Sequence, residues 1–239
     1  MKFASIVEEY FETRQELQKG IENFEQQRHL SLFKKLVTDQ DEMNFFSWLA
    51  EVRFGLFFNR MCNDIYYDQT IDTKTPDWTL LLNGQKILGE VLRVNTPESE
   101  YRESIAQNRK QRSFQKENPG VPFITHGPIK VITLEHLAGA ESKLVRKEEK
   151  YRNIILKYHL PFILCVAPTI DTFLFELDFQ DFLMGGRGFF RRNENFGQHV
   201  TGVLLNTPFG GFFYYHNERA KYPLTVDNLQ KFQPLFYHY

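Results

Sequence analysis

The chain has 239 residues, of which 29 are basic and 30 are acidic, and its formal net charge is −1. This length suffices for one domain with a sizeable core. Because the charges nearly cancel, a basic field over the whole surface is excluded, and any nucleic-acid-binding surface has to be a local patch. The 24 phenylalanines indicate an aromatic core rather than a disordered chain.

The two cysteines, Cys62 and Cys165, lie in apolar runs. Two thiols are too few for a structural zinc site, so we expect buried free thiols in a reducing compartment. No signal pattern follows Met1, and no apolar run approaches the length that spans a membrane. We therefore expect a soluble, cytoplasmic protein without a membrane partner.

Residues 3–62 are predicted to be helical, because apolar side chains recur near one face between charged ones. Gly20 is expected to interrupt or end the first helix, and a short second helix is expected at 30–37. A third helix at 43–61 is apolar on most sides and should be deeply packed. Glu51 within it should therefore have a partner, since a carboxylate in an apolar helix is otherwise costly.

The dipeptide Asn83-Gly84 lies between two apolar runs and predicts a β-hairpin with a two-residue type I′ turn. In that turn both residues have positive φ, and Leu82 pairs with Gln85. The register that follows from this pair places Asp77 directly opposite Glu90 on the same face of the hairpin.

Directly opposed side chains have Cβ atoms about 5 Å apart, and two carboxylates at that distance repel each other. A divalent cation between Asp77 and Glu90 would relieve the repulsion, because hard cations such as Mg²⁺ take oxygen ligands. The alternative is that Asp77 is a turn residue after Pro76 and that Glu90 pairs with a surface arginine or lysine. On the second strand Glu90 shares its face with Leu88 and Leu92.

The rest of the chain alternates between helical and extended patterns. A strand at 64–68 precedes the hairpin, and the elements expected after it are a polar helix at 97–116, a strand at 128–134, a charged helix at 141–159, a strand buried on both faces at 161–166, a loop at 185–192 and strands at 200–205 and 212–215. The stretch 172–183 fits a helix or a strand.

This order predicts an α/β (α+β) fold with a central mixed β-sheet flanked by helices. We divide the chain into an N-terminal helical extension, 1–40, and a main domain, 41–239.

The order Pro76-Asp77, short hairpin and Glu90-Val91-Leu92 resembles the PD-(D/E)XK superfamily of restriction-endonuclease-like nucleases. Glu51, in a buried helix before this motif, resembles the helical carboxylate that some members add to the site. The stretches that look like the later parts of uncharacterised bacterial members are Lys150-Tyr151, 160–166 and 215–224. The resemblance covers roughly residues 45 to 225.

The resemblance implies a restriction-endonuclease-like fold and a Mg²⁺-dependent nuclease that cleaves phosphodiester bonds, with DNA as the favoured substrate and Mn²⁺ as the alternative cofactor. Asp77 and Glu90 would hold the cation, with the Val91 carbonyl as a further ligand. Glu51 would position a second cation or a water. A cation held in this way activates water for in-line attack on the phosphodiester.

Leu92 departs from the family pattern, which has a lysine two residues after the glutamate that helps to activate the attacking water. Leu92 shares a face with Glu90, so an apolar group fills the usual lysine site, and Arg93 points the other way. Three outcomes are open: the cation acts unaided, the fold is kept without catalysis, or a lysine or glutamine from the helix after the hairpin reaches the site, with Gln107, Lys110 and Gln111 as candidates.

Basic side chains are concentrated in the helices 97–116 and 141–159 and in the loop 185–192. The candidate nucleic-acid contacts among them are Arg109, Lys147, Arg187 and Arg191. Both helices also carry glutamates, so a solvated charged face is the alternative for the helices, and a plain surface loop is the alternative for 185–192.

Two functions from different classes follow. The first is the metal-dependent nuclease, and the alternative is a catalytically inactive protein of the same fold that acts as a nucleic-acid-binding or protein-interaction module. A basic group within hydrogen-bond reach of the space between Asp77 and Glu90 would favour the nuclease, and a sealed apolar wall would favour the module. The expected partner is nucleic acid, with DNA preferred, and a homodimer is compatible with either function.

Overall fold

The structure is a computed structural model of the chain. It describes residues 15–28, 30, 32, 42–94, 106–107, 110–111, 113–114, 116–118, 134–168, 176–207, 211–232 and 235–236.

Helices and strands alternate along the described chain. The helices are α1 (Gln15–Arg28), α2 (Glu42–Met61), α3 (Leu134–Tyr158), α4 (Glu176–Met184), α5 (Phe189–Arg192), α6 (Glu194–His199) and α7 (Val226–Lys231). The strands are β1 (Asp64–Tyr67), β2 (Trp78–Leu82), β3 (Gln85–Val94), β4 (Phe162–Pro168), β5 (Gly202–Asn206), β6 (Gly211–His216) and the two-residue β7 (Leu235–Phe236).

The strands form one mixed sheet in which each strand lies beside its neighbour in sequence, in the order β1 to β7. The pairs β1–β2 and β2–β3 are antiparallel, β3–β4 and β4–β5 are parallel, and β5–β6 and β6–β7 are antiparallel. Helices flank the sheet, and a helix precedes it at the N-terminal end. The predicted fold class, a mixed sheet flanked by helices, is confirmed.

Each face of the sheet has its own hydrophobic core. The core on the side of α1 and α2 includes Phe24, Phe54 and Trp78. The core on the side of α3 to α6 includes Tyr151 and Phe162. The sheet therefore separates two aromatic layers, and β3 and β4 at its centre are buried on both faces.

Side chains of β3 alternate between these two cores as the sequence predicted. Ile87 and Val91 lie in the core beside α1 and α2, whereas Leu88 and Leu92 lie in the core beside α3. Glu90 shares the second face because it stands between Leu88 and Leu92 along the strand. A carboxylate is thus directed into the layer between the sheet and α3.

The hairpin has the predicted turn and register. Asn83 and Gly84 have φ values of 48° and 78°, as a type I′ turn requires. Leu82 pairs with Gln85, and Trp78 pairs with Gly89. The local turn chemistry therefore fixes which residues of β2 and β3 lie opposite each other.

Several helix predictions need correction. Gly20 does not end the first helix, because α1 continues to Arg28. An interior glycine costs a helix about 1 kcal/mol relative to alanine, whereas burial of each large apolar side chain contributes roughly 1.5–3 kcal/mol. Leu17, Ile21 and Phe24 are all buried, so the packing of α1 outweighs the glycine.

Two further boundaries were wrong. Leu134 begins α3 instead of ending a strand, since the segment that starts there is rich in leucine, alanine and glutamate, which favour helices. The second half of the expected loop at 185–192 is α5, whose Phe189 and Phe190 are buried. Residues 128–133 lie outside the described part of the chain.

The ambiguous stretch 172–183 is helical from residue 176, where α4 begins. Within the polar helix expected at 97–116, the described residues 106–107, 110–111, 113–114 and 116 are helical. The expected helix at 43–61 and the expected strands at 64–68, 161–166, 200–205 and 212–215 are present with boundaries shifted by one or two residues. For the helix expected at 30–37, only residues 30 and 32 are described. The division of the chain at residue 40 stays a prediction.

Cys62 and Cys165 are free and buried, as predicted. Within the described ranges, no helix is both long and apolar enough to cross a membrane.

Trp78 occupies space that only glycines leave open. A Cβ at Gly55 in α2 would lie 2.5 Å from Cη2 of Trp78, and a Cβ at Gly89 would lie 3.3 Å from its Cβ. The indole is fully buried between α2 and the hairpin. Close approach of α2 to the sheet therefore depends on these two positions.

We expect Gly55→Ala to lower the free energy of unfolding by about 1–3 kcal/mol, because the added methyl group overpacks the core at Trp78. Gly20→Ala is the matched control in α1, where nothing lies within 4 Å of the new Cβ. It should raise the free energy of unfolding by about 0.5–1 kcal/mol. Urea unfolding of both variants measures the difference, and equal effects would contradict the packing described here.

Candidate functional site

Asp77 and Glu90 lie side by side where the pairing of β2 with β3 ends. The Asp77 backbone N–H donates to Oε2 of Glu90 at 3.3 Å. The Val91 N–H donates to Oδ2 of Asp77 at 2.6 Å. Since Trp78 pairs with Gly89 one position earlier, the two-residue turn holds both carboxylates at this end of the hairpin.

The carbonyl of Val91 faces the same space. In a strand, the N–H and C=O of one residue point to the same side, and successive residues alternate. The Leu88 N–H donates to Pro161 on the β4 side at 2.9 Å, whereas the Val91 N–H is directed to Asp77. The Val91 carbonyl is therefore on the side of β2, at the end of its ladder.

Glu90 is fully buried and carries two lysine partners from α3. Nζ of Lys147 lies 2.6 Å from its Oε1, and Nζ of Lys150 lies 3.1 Å from the same oxygen. The side chains of Lys147 and Lys150 are 29% and 43% exposed. The alternative expectation was that Glu90 pairs with a surface arginine or lysine. In the structure, two lysines reach inward to this buried carboxylate.

Asp77 is in an environment with excess negative charge. The pKa of Asp77 is raised from the ordinary 3.8 to about 8, chiefly by burial and in addition by the charges of Glu90 and Glu51. The Val91 N–H and the Lys147 ammonium act in the opposite direction and only partly compensate. A proton or another cation is therefore favoured at Asp77 near neutral pH.

Glu51 comes to this site from α2 on the other side of the sheet. Its Oε2 accepts a hydrogen bond from the Tyr67 hydroxyl at 2.5 Å, and its backbone carbonyl accepts one from Nε1 of Trp78 at 3.1 Å. Glu51 was expected to have a partner, and in the structure this partner is Tyr67 of β1. Burial and the charge of Glu51 raise the pKa of Tyr67, so the phenol stays a hydrogen-bond donor.

Tyr151 connects α3 to the segment that leads to Asp77. Its hydroxyl donates to the Thr75 carbonyl at 2.8 Å, and Nζ of Lys150 lies 4.6 Å from its ring centroid. Burial and the neighbouring Glu90 charge raise the pKa of Tyr151. This contact sets the distance between the lysine-bearing face of α3 and the carboxylates.

A second buried carboxylate, Glu148, holds the opposite side of α3. It accepts from Nε and Nη2 of Arg152, both at 2.7 Å, and its Oε1 lies 2.7 Å from Nδ1 of His199 in α6. Glu148 is thus satisfied within the protein. We interpret the cluster as structural, because it fixes α3 in the rotation that directs Lys147 and Lys150 to Glu90.

The donor set at this site fits a divalent cation that shares its coordination with other ligands. Asp77, Glu90 and the Val91 carbonyl are hard oxygen donors, and burial together with the charges of Glu90 and Glu51 raises the pKa of Asp77. Among the residues that the structure describes, no group of three or more histidine, cysteine, aspartate or glutamate side chains is arranged to hold a metal ion. Mg²⁺ commonly takes one or two carboxylates and completes its shell with water and substrate phosphates.

The other candidate residues are not brought to this point by any described contact. Lys110 and Gln107 are exposed, and Gln111 is half-buried with an Oε1 that has no hydrogen-bond partner among the described residues. Arg109 lies outside the described residues. Arg187 and Arg191 are exposed, and the Arg191 carbonyl accepts from the Arg219 guanidinium at 3.1 Å.

Sequence reasoning did not identify Lys150, Tyr67 or Tyr151 as site residues. Lys147, Lys150 and Tyr151 are spaced at i, i+3 and i+4, so they share a face of α3. That spacing is visible in the sequence, but it does not reveal which sheet residue the face meets.

Comparison of the chain with protein-family models, with curated proteins and with solved structures gives no match. The resemblance to the PD-(D/E)XK superfamily therefore stays a prediction from the residues.

We expect Asp77→Asn to change how stability depends on pH. A carboxyl group with a raised pKa binds a proton more tightly in the folded state, so the contribution of Asp77 to stability falls as pH rises from the ordinary 3.8 to about 8. Each unit of pKa difference corresponds to about 1.4 kcal/mol. Asparagine abolishes this contribution, so the variant should gain stability relative to wild type across the window.

Urea unfolding in EDTA at about pH 5 and at about pH 8.5 measures the difference in free energy of unfolding between the two proteins. These two pH values enclose most of the range over which the contribution of Asp77 changes. Asp227→Asn, at an exposed position in α7, is the control and should keep the wild-type profile. Parallel profiles for wild type and Asp77→Asn would show that Asp77 has an ordinary pKa.

Proposed function

We propose that the chain is a metal-dependent nuclease that hydrolyses phosphodiester bonds, with DNA as the preferred substrate. The observation that carries the proposal is the pair of adjacent carboxylates, half-buried Asp77 and buried Glu90, with two ammonium groups within 3.1 Å of Glu90. Acidic cation ligands beside basic groups are what phosphodiester hydrolysis requires, since charge builds on the phosphate during attack.

Asp77, Glu90 and the Val91 carbonyl would hold Mg²⁺ or Mn²⁺. When bound, such a cation supplies Lewis-acid polarisation of the phosphate and lowers the pKa of water. Glu51 adds a third negative charge near Asp77 and so favours a divalent over a monovalent cation. Its contact with Tyr67 keeps the carboxylate directed toward the site.

Lys147 and Lys150 supply the positive charge that position 92 does not. Leu92 lies in the apolar core beside α3, so the strand contributes packing at that position. The ammonium groups of α3 are on the same face of the sheet, next to Glu90. There they would stabilise the negative charge that develops on the phosphate.

The second candidate is a nucleic-acid-binding or protein-interaction module without catalysis. Leu92 favours it, as does the neutralisation of the Glu90 charge by two lysines. The module would bind its partner equally well after Asp77→Ala, and Mg²⁺ would not raise its melting temperature.

We expect wild-type protein to cleave single-stranded or duplex DNA in Mg²⁺ or Mn²⁺ and to be inactive in EDTA. Asp77→Asn and Lys147→Met should each lower the rate about a hundredfold or more, since each takes away charge used in the transition state. The measurement is cleavage of end-labelled DNA, with RNA tested in parallel.

Two exposed positions provide matched controls. Asp227→Asn and Lys157→Met should keep wild-type activity, because Asp227 and Lys157 are exposed and the ion pair of Lys157 with Asp72 is on the surface. Absence of cleavage by wild type on every substrate would overturn the nuclease proposal. Binding of nucleic acid that is unchanged by Asp77→Ala would then support the module.

A further inference from the structure

A cation bound at Glu90 would compete with Lys147 and Lys150 for the same carboxylate. Both ammonium groups contact the same oxygen of Glu90, at 2.6 and 3.1 Å. A divalent ion bound to this carboxylate would lie within a few ångströms of two positive charges, where repulsion is strong in a partly buried site. Cation binding therefore favours movement of the lysines away from Glu90.

These two lysines are able to move outward. Both side chains are partly exposed, and lysine has a flexible four-carbon stem with a compact charge at its end. Glu90 is fixed in the sheet and buried, so the change in contact falls to the lysines.

The surface next to the two lysines suits a polyanion. Lys143, Arg146, Lys147 and Lys150 recur at i, i+3, i+4 and i+7, which places them along one stripe of α3. Seven residues of α-helix extend about 10 Å, enough to contact neighbouring phosphates of a nucleic-acid strand. We call these four residues the basic stripe.

Two glutamates of α3, Glu141 and Glu148, have partners outside the basic stripe. Glu141 pairs with Arg192 at 3.0 Å, and Glu148 is occupied by Arg152 and His199. Burial and the positive charges of Arg93 and Arg146 lower the pKa of Lys143, as expected where cations face one another. Such crowding is relieved by an anion that binds to several of these side chains.

We propose that Lys147 and Lys150 exchange between Glu90 and the phosphates of a bound nucleic-acid strand, so that nucleic acid and the divalent cation bind cooperatively. The proposal rests on the proposed function, because it uses the same cation site. Nucleic acid on the basic stripe draws the lysines off Glu90 and frees the carboxylate for the cation. By linkage, the cation raises the affinity for nucleic acid by the same factor.

The coupling predicts a protected resting state. Without nucleic acid, the lysines neutralise Glu90 and the cation binds weakly. With nucleic acid bound, phosphate oxygens of the strand would complete the coordination of the cation. This suits an ion that shares its coordination shell with substrate oxygens. Cation occupancy is thereby restricted to the complex that contains the substrate.

The test is a titration with Mn²⁺, followed by its EPR signal, with and without a short single-stranded DNA that carries hydrolysis-resistant phosphorothioate linkages. The same titration with Asp77→Asn measures ions that bind to the DNA itself and is subtracted. We expect DNA to lower the wild-type Kd for Mn²⁺ about tenfold, which is within the usual range of allosteric coupling.

The double variant Lys147→Gln/Lys150→Gln should bind Mn²⁺ without DNA about tenfold more tightly than wild type, and DNA should then change the Kd by less than about twofold. Loss of both lysines leaves Glu90 unpaired, so the fold is checked first by melting in Mn²⁺. If the double variant does not fold, Lys150→Gln alone, which keeps the shorter ion pair, should show reduced coupling. Lys157→Gln is the control and should keep the wild-type coupling.

Two results would overturn the inference, and they differ in what they say about the cation site. An Asp77-dependent wild-type Kd that is the same with and without DNA overturns the coupling alone and leaves the metal-dependent nuclease intact. Absence of Asp77-dependent Mn²⁺ binding under both conditions overturns the coupling and the metal-dependent nuclease together.

Discussion

The buried negative charge of Glu90 is the constraint on which the arrangement of this protein depends. A carboxylate between two leucines of a central strand would be strongly destabilising without compensation. The compensation comes from α3, whose two lysines contact one oxygen of Glu90. The position and rotation of α3 are therefore set by charge as well as by apolar contact. Glu148, on the other side of the helix, reinforces the same rotation through His199.

The two cores of the sheet meet at this site. Trp78 fills the layer beside α2, and its indole N–H holds the backbone of Glu51. Tyr151 fills the layer beside α3, and its hydroxyl holds the Thr75 carbonyl just ahead of Asp77. Carboxylates from α2 and from the hairpin are thus positioned by aromatic side chains that are themselves fixed by packing. Packing in the layers beside α2 and α3 therefore holds the site in place.

The parts that could be predicted from sequence are those with local causes. Asn83-Gly84 has the φ values of a type I′ turn, and that turn alone fixes the pairing of β2 with β3. The buried faces of β3 and the burial of both cysteines also follow from patterns within a few residues. These features determine that Asp77 and Glu90 are neighbours.

Features that depend on distant contacts were not predictable in the same way. Gly20 was expected to end a helix, but the packing of α1 against α2 outweighs its weak helix propensity. The lysines expected to contact nucleic acid or solvent contact Glu90 in the structure, because the docking of α3 brings a buried charge within reach. Helical spacing shows which residues of α3 act together, whereas their partner is decided by tertiary structure.

The long separation of Glu90 from its lysine partners has a consequence for synthesis of the chain. Lys147 and Lys150 follow Glu90 by 57 and 60 residues, so the hairpin leaves the ribosome well before α3 is available. During that interval the Glu90 carboxylate lacks these two lysine partners and is favoured in contact with water. Closure of this face is accordingly a late step of vectorial folding, because it requires the docking of α3.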